Sequence, residues 1–146
     1  MNKLIELAKQ YGEVHQKELN LTDCVKFLES EEYQIFPLYL DFITQYGSIE
    51  GYHSAYKNNH GKPKKFTTNP IKGAKAIFKG QVEAYEERAF CNLIPFGLSS
   101  DKHIVLMLGD DGNIYGGIDD YLFKYGNNIL SGIDILINGK ELLELD

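Results

Sequence analysis

Residues 104–118 read IVLMLGDDGNIYGGI, and this stretch decides the fold class. Five consecutive apolar residues, Ile104 to Leu108, describe a strand covered on both faces, because a half-exposed strand would alternate apolar with polar side chains. The Asp111-Gly112 pair behind them is a strong signal for a two-residue hairpin, and IYGGI is the returning strand. Helices must then lie on at least one face of the sheet.

The flanking sequence supplies them. Asn69-Pro70 offers a cap and a first-turn proline, and Ile71, Ala74, Phe78, Val82, Tyr85 and Ala89 follow one helical stripe over several turns. Gly73 and Gly80 weaken that helix by about 1 kcal/mol each relative to alanine, so the spacing predicts either close packing against a neighbour or a break near Gly80. Upstream, SIEGYHSAY (48–56) predicts a strand running into the turn-rich NNHGKP, with a return strand at about 64–68. Pro37 opens and Gly47 stops a helix whose apolar face carries Leu38, Tyr39, Phe42, Ile43 and Tyr46. Asn20 caps an earlier helix with Leu21, Val25 and Leu28 on one side. Leu4, Leu7, Ala8 and Tyr11 predict a first helix, followed by a polar link, GEVHQKELN. Downstream, Ile129, Leu130, Ile133, Leu136 and Ile137 form a last helix before Gly139. The expected architecture is α+β, one domain over residues 1–146, with a mainly antiparallel central sheet packed by helices.

A chain of 146 residues with 43% apolar, 25% charged and 12% aromatic residues has ordinary globular composition and is long enough to build a core without staples. Its net charge of −6 disfavours general binding to nucleic acid or an anionic membrane, which need clustered positive charge. That charge is uneven. Residues 53–80 hold seven lysines and no carboxylate, so the rest of the chain carries −13, and the lysine-rich segment is expected to be a solvated hairpin. Residues 83–146 are the most negative part, with twelve acids against three lysines and Arg88. Two cysteines, Cys24 and Cys91, are too few for a disulfide framework and lack metal-site spacing, so both are expected reduced and buried. The N-terminal segment lacks the continuous apolar core of a signal peptide and no apolar run is long enough to span a bilayer, which predicts a cytoplasmic protein.

Catalytic patterns are weak. His15, His53, His60 and His103 show no metal-ligand spacing, and a solvated loop explains His53 and His60. Ser54 with Lys57, and Ser99 with Lys102, match S-x-x-K, yet neither sits at a predicted helix start and the accompanying elements are missing. Asp110-Asp111-Gly112 lacks the alternating oxygen ligands of a calcium loop. No cofactor, metal or catalytic residue is expected. Asp110, Asp111, Asp119 and Asp120 read first as turn and cap residues and second as an acidic partner-binding surface, if the hairpin brings the two pairs near one another. Tyr115, Tyr121 and Tyr125 are candidate interface anchors or core residues.

From residue 91 onward, the order CNLIPFGLSSDKHIVLMLGDDGNIYGGIDDYLFKYGNNILSGIDILINGK resembles the SUKH superfamily, in its third group of bacterial immunity proteins. The resemblance rests on Leu93-Ile94-Pro95-Phe96-Gly97, the apolar strand, the acid-glycine turn, the tyrosine-bearing strand, Gly126, and the short apolar helix closed by Gly139. Phe42 to Gly47 and Asn69-Pro70 with Ala74 extend it, so that it covers about residues 35–140. The chain departs from the pattern in lacking tryptophan and in carrying Ser48-Ile49 after the helix stop. What the resemblance implies is an α+β fold with a central antiparallel sheet, and an immunity protein that binds and neutralises a polymorphic toxin, often a nuclease. On that reading the partner is a basic toxin, and the contact surface contains Asp110, Asp111, Asp119 and Asp120 with Tyr115 or Tyr121. Nucleic acid and membrane are not expected partners. A regulatory or scaffolding module of the same superfamily is the alternative, and an enzyme or small-ligand protein is a third reading.

Overall fold

The structure, a computed structural model, describes residues 2–55, 61–139 and 142–146. Helix α1 (Lys3–Ala8) runs on as a tight turn (Lys9–Tyr11), and α2 (Leu21–Ser30), α3 (Pro37–Tyr46), α4 (Pro70–Lys75), α5 (Lys79–Ala89) and α6 (Ile129–Asn138) follow in chain order. The strands are β1 (His15–Gln16), β2 (Ile49–His53), β3 (Lys64–Thr67), β4 (Leu93–Ser99), β5 (Ile104–Gly109), β6 (Ile114–Ile118), β7 (Tyr121–Tyr125) and β8 (Leu143–Leu145). All eight lie in one sheet in sequence order, and every neighbouring pair is antiparallel. The α+β reading of the sequence holds.

Every residue of β4 and β5 is buried. Because side chains alternate across a sheet, these strands are covered on both faces. Helix starts are set locally: Asn20 accepts a hydrogen bond from the Asp23 N–H at 3.0 Å, and Asn69 does the same for Lys72 at 3.0 Å, each cap worth about 1 kcal/mol.

Four expectations are revised. The single stripe from 70 to 89 is two helices, α4 and α5, broken at residues 76–78 by the extended backbone of Phe78, whose ring is 88% exposed and so lies off the buried stripe. Close packing also occurs, at Gly73: a Cβ there would stand 2.6 Å from the Gly97 N of β4. The polar link contains β1, whose residues are exposed and pair through backbone alone, His15 with Glu50 and Gln16 with Ile49. The hairpin after β5 has a three-residue loop, since the Gly112 N–H bonds back to the Gly109 carbonyl at 3.0 Å and Gly112 takes φ +85°, the geometry of a turn followed by a left-handed residue. The lysines of residues 53–80 spread beyond one hairpin, with Lys64 and Lys65 on β3, Lys72 and Lys75 on α4, and Lys79 on α5. Lys57, His60 and the start of NNHGKP lie outside the described residues.

The β4–β5 connection is unusual. Ser100, Asp101 and Lys102 have φ of 50°, 57° and 77°, three successive left-handed residues that cost roughly 1–2 kcal/mol each. Bonds to β2 and β3 hold them. The Lys65 N–H donates to Asp101 Oδ1 at 2.8 Å and the Asp101 N–H to the Lys65 carbonyl at 3.1 Å. The Ser100 N–H donates to His53 Nε2 at 2.9 Å, and His53 Nδ1 donates to the Ser54 carbonyl at 2.6 Å. His53, expected in a solvated loop, is therefore a buried, neutral clamp. Among the described residues no helix is long and apolar enough to cross a membrane.

Candidate functional site: an acidic concavity at the end of α5

Helix α5 is seated by Val82 and Tyr85, both buried. The Tyr85 hydroxyl donates to the Asp119 carbonyl at 2.6 Å, Gln81 Nε2 to the same oxygen at 3.1 Å, and Arg88 Nη1 to the Asp120 carbonyl at 2.7 Å. Glu86 accepts the Leu93 N–H at 2.8 Å, tying the helix to the start of β4. The opposite side of the helix is left to solvent, and it carries Glu83 and Glu87. Phe90 ends α5 at φ 58°, its N–H bonded to the Glu86 carbonyl, and its ring is 92% exposed. A left-handed backbone is costly for a bulky residue, so this phenylalanine is both strained and unburied.

The β5–β6 turn comes alongside. Asp110 accepts from the Asn92 N–H at 3.1 Å and from Asn92 Nδ2 at 2.9 Å, while its own N–H donates to the Asn92 carbonyl at 3.0 Å. Together Glu83, Glu86, Glu87, Asp110, Phe90 and Asn92, with Cys91, line an open concavity of about 530 Å³. Among the described residues no lysine or arginine lines it. A smaller hollow of about 160 Å³ adjoins it through Glu86 and Asn92 and adds Glu32, Tyr33 and Lys79, the Lys79 ammonium lying over the Tyr33 ring at 5.0 Å.

Asp111, the exposed neighbour of Asp110, is not part of the lining. Tyr115 donates to its Oδ2 at 2.6 Å, the Asn113 N–H to Oδ1 at 3.0 Å and Asn113 Nδ2 to Oδ2 at 3.1 Å. Partial burial pulls the Asp111 carboxyl up, but these hydrogen bonds outweigh it and hold the group below the ordinary carboxylate range. Burial and the neighbouring Asp111 push the Cys91 thiol up to about 12, which removes it as a nucleophile near neutrality. Cys91 is half-buried and Cys24 fully so, and both are free.

The expected surface of four aspartates is not assembled. Asp110 and Asp111 sit at one end of β6 and Asp119 and Asp120 at the other, separated by the five residues of that strand, roughly 17 Å. Antiparallel pairing puts successive turns at opposite ends of the sheet, so the two pairs do not converge. Tyr115 is 2% exposed and Tyr125 fully buried, which makes them core residues, Tyr115 acting through Asp111. Tyr121 is exposed and stacks on Phe123, ring centroids 6.5 Å apart, beside the second pair. What the sequence reading missed is the partnership of Asp110 with α5. The signal was present: Glu83, Glu87 and Phe90 are spaced by four and three on the side opposite the buried stripe.

A second concavity, about 350 Å³, lies on the outer side of β2 and β3 and carries Lys65, Lys72 and Lys102. Among the described residues no three His, Cys, Asp or Glu side chains gather to hold a metal ion. Ser99 is buried at the end of β4, away from any helix start. Neither a curated protein nor a solved structure gives a significant match. Comparison with known families matches residues 9–139 to the SUKH-3 immunity protein, which spans nearly the whole chain and all of the sheet except β8. The chain belongs to the SUKH-3 immunity protein family.

Proposed function

We propose that this protein is an immunity factor that neutralises a basic protein toxin by covering part of its surface with the acidic concavity at the end of α5. The observation that carries the reading is Phe90, a fully presented aromatic ring in a strained conformation, lined up with Glu83, Glu87 and Asp110. Aromatic anchors dominate interface energies when a partner buries them, and the surrounding carboxylates steer a cationic partner and select against acidic ones. A nuclease toxin carries positive charge to hold phosphate, so the same carboxylates would meet it as a nucleic-acid mimic. Inhibition by contact requires no reactive group of the inhibitor's own. The protein then works without cofactor, membrane or nucleic acid, in the cytoplasm where a toxin would act.

The test is coexpression with a candidate toxin from a neighbouring reading frame, scoring growth rescue and copurification for the wild type, for Glu83→Lys with Glu87→Lys, for Phe90→Ala, and for Asp119→Lys with Asp120→Lys. Loss of rescue in the first two variants and its retention in the third supports the α5 face. Loss only in the third moves the interface to the β6–β7 turn. No rescue and no complex with wild type rejects the pairing.

A further inference from the structure

We propose that the outer groove of β2 and β3 is a second docking surface, one that takes an extended, predominantly acidic segment of a protein partner. The groove holds about 350 Å³ and its walls include Tyr52, Thr67 and Leu98, enough apolar surface to seat side chains. Three cations stand along it from three different elements: Lys72 from α4, Lys65 from β3, and Lys102 from the left-handed turn after β4.

Their arrangement follows the strands. Lys72 Nζ lies 3.5 Å from Glu50, which is the register partner of Thr67, whereas Lys65 is the partner of Tyr52, two residues further along β2. Two strand residues are roughly 7 Å, the spacing of alternate side chains on an extended peptide. Lys102 follows directly on Asp101, whose N–H is bonded to the Lys65 carbonyl, so the third cation continues the same row. Lys65 and Lys102 have no ion-pair partner among the described residues. Lys102 ends the left-handed run at 100–102 and lines the groove.

The mixed rim identifies the occupant. Glu13 and Glu50 also line the groove, and the molecule as a whole carries −6. A polyphosphate with uniform charge meets both carboxylates and the long-range negative field, and the chain's arginine, Arg88, is on α5 and not in the groove. A peptide places acidic side chains on the lysines and neutral or basic ones on Glu13. The groove abuts the end of β4 that carries Leu98, and the acidic concavity the end that carries Leu93, so one partner at each surface is sterically compatible with the β4 length.

The experiment titrates the full chain with a labelled decapeptide alternating Glu and Thr around a central Phe, with its Lys-for-Glu analogue, and with a single-stranded oligonucleotide of equal charge, following amide shifts. Saturable shifts at Tyr52, Lys65, Thr67 and Leu98 are expected with the Glu peptide alone. Affinity is expected to fall about tenfold or more in Lys65→Glu with Lys102→Glu and to weaken with salt. Should that variant fold poorly, Lys65→Gln with Lys102→Gln serves, with a smaller loss expected. No saturable Glu-peptide binding, equal binding of the Lys analogue, tighter binding of the oligonucleotide, or indifference to the lysine substitutions would overturn the proposal. None of these outcomes depends on the toxin pairing.

Discussion

The Tyr115 hydroxyl donates to Asp111 Oδ2 at 2.6 Å, so a buried core tyrosine of β6 holds an exposed carboxylate of the preceding turn in place. This one bond couples the interior of the sheet to the turn that carries Asp110. Tyr115→Phe keeps the ring in the core and removes only the donor. We expect a loss of about 1 kcal/mol in stability, the value of a charge-assisted bond reduced for solvent screening at the carboxylate, together with a rise of the Asp111 pKa toward the ordinary range. Urea denaturation and a carboxyl NMR titration check the two parts.

Phe90 offers a separation of stability from binding. Glycine accepts φ 58° without strain, and a C-terminal glycine is the common helix stop. Phe90→Gly is therefore expected to stabilise the free protein by about 0.5–1 kcal/mol, the relieved strain exceeding the added entropy of the unfolded chain, while toxin affinity falls by about tenfold or more. A thermal melt beside a binding titration reads both. A destabilised variant would mean that the ring packs against the fold.

The two glycines of the 70–89 segment should respond oppositely to alanine. At Gly73 the new methyl meets the Gly97 backbone at 2.6 Å and 3.0 Å, contacts with main chain that can yield only by moving α4 off β4, so Gly73→Ala should cost about 2–3 kcal/mol. At Gly80 nothing lies within 4 Å, and Gly80→Ala should gain about 0.5–1 kcal/mol from helix propensity. Denaturant midpoints of the two variants decide it.

His53 should make stability depend on pH on the mildly acid side. Burial lowers its pKa below the ordinary 6.5, against the hydrogen bond to Ser54 and the carboxylate of Asp101, which raise it, and with Lys64 adding to the lowering. Below 6.5 the unfolded chain binds a proton that the folded one refuses, so stability falls as pH drops from 6.5 toward the folded-state value, by at most about 1.4 kcal/mol per pH unit. Above 6.5 this contribution is fully present. His53→Gln is expected to flatten the slope of stability against pH in that window, measured by urea unfolding at a series of pH values.

Local chemistry is what the sequence alone determined. The five apolar residues of β5, the Asp-Gly turn, the asparagine caps at 20 and 69 and the proline at 37 each act within a few residues, and each element they predict is present, the turn with three loop residues in place of two. The ordered series of these elements also identified the family. Strands β1 and β8 were hidden because they are two and three residues long and mostly exposed, so they carry no buried apolar pattern. The break foreseen near Gly80 falls at residues 76–78, where Phe78 takes an extended backbone, and the exposure of its ring was set by tertiary packing.

The acidic site divides along the same line. That residues 83–146 are strongly negative is composition. Which of those carboxylates act together was set only by tertiary structure: antiparallel pairing sends Asp110 and Asp119 to opposite ends of β6, and the Asn92 bonds bring Asp110 to Glu83, Glu87 and Phe90. Charge is a property of residues, whereas proximity between residues far apart in the chain follows from strand direction and side-chain packing. Neither is written in a local stretch of sequence.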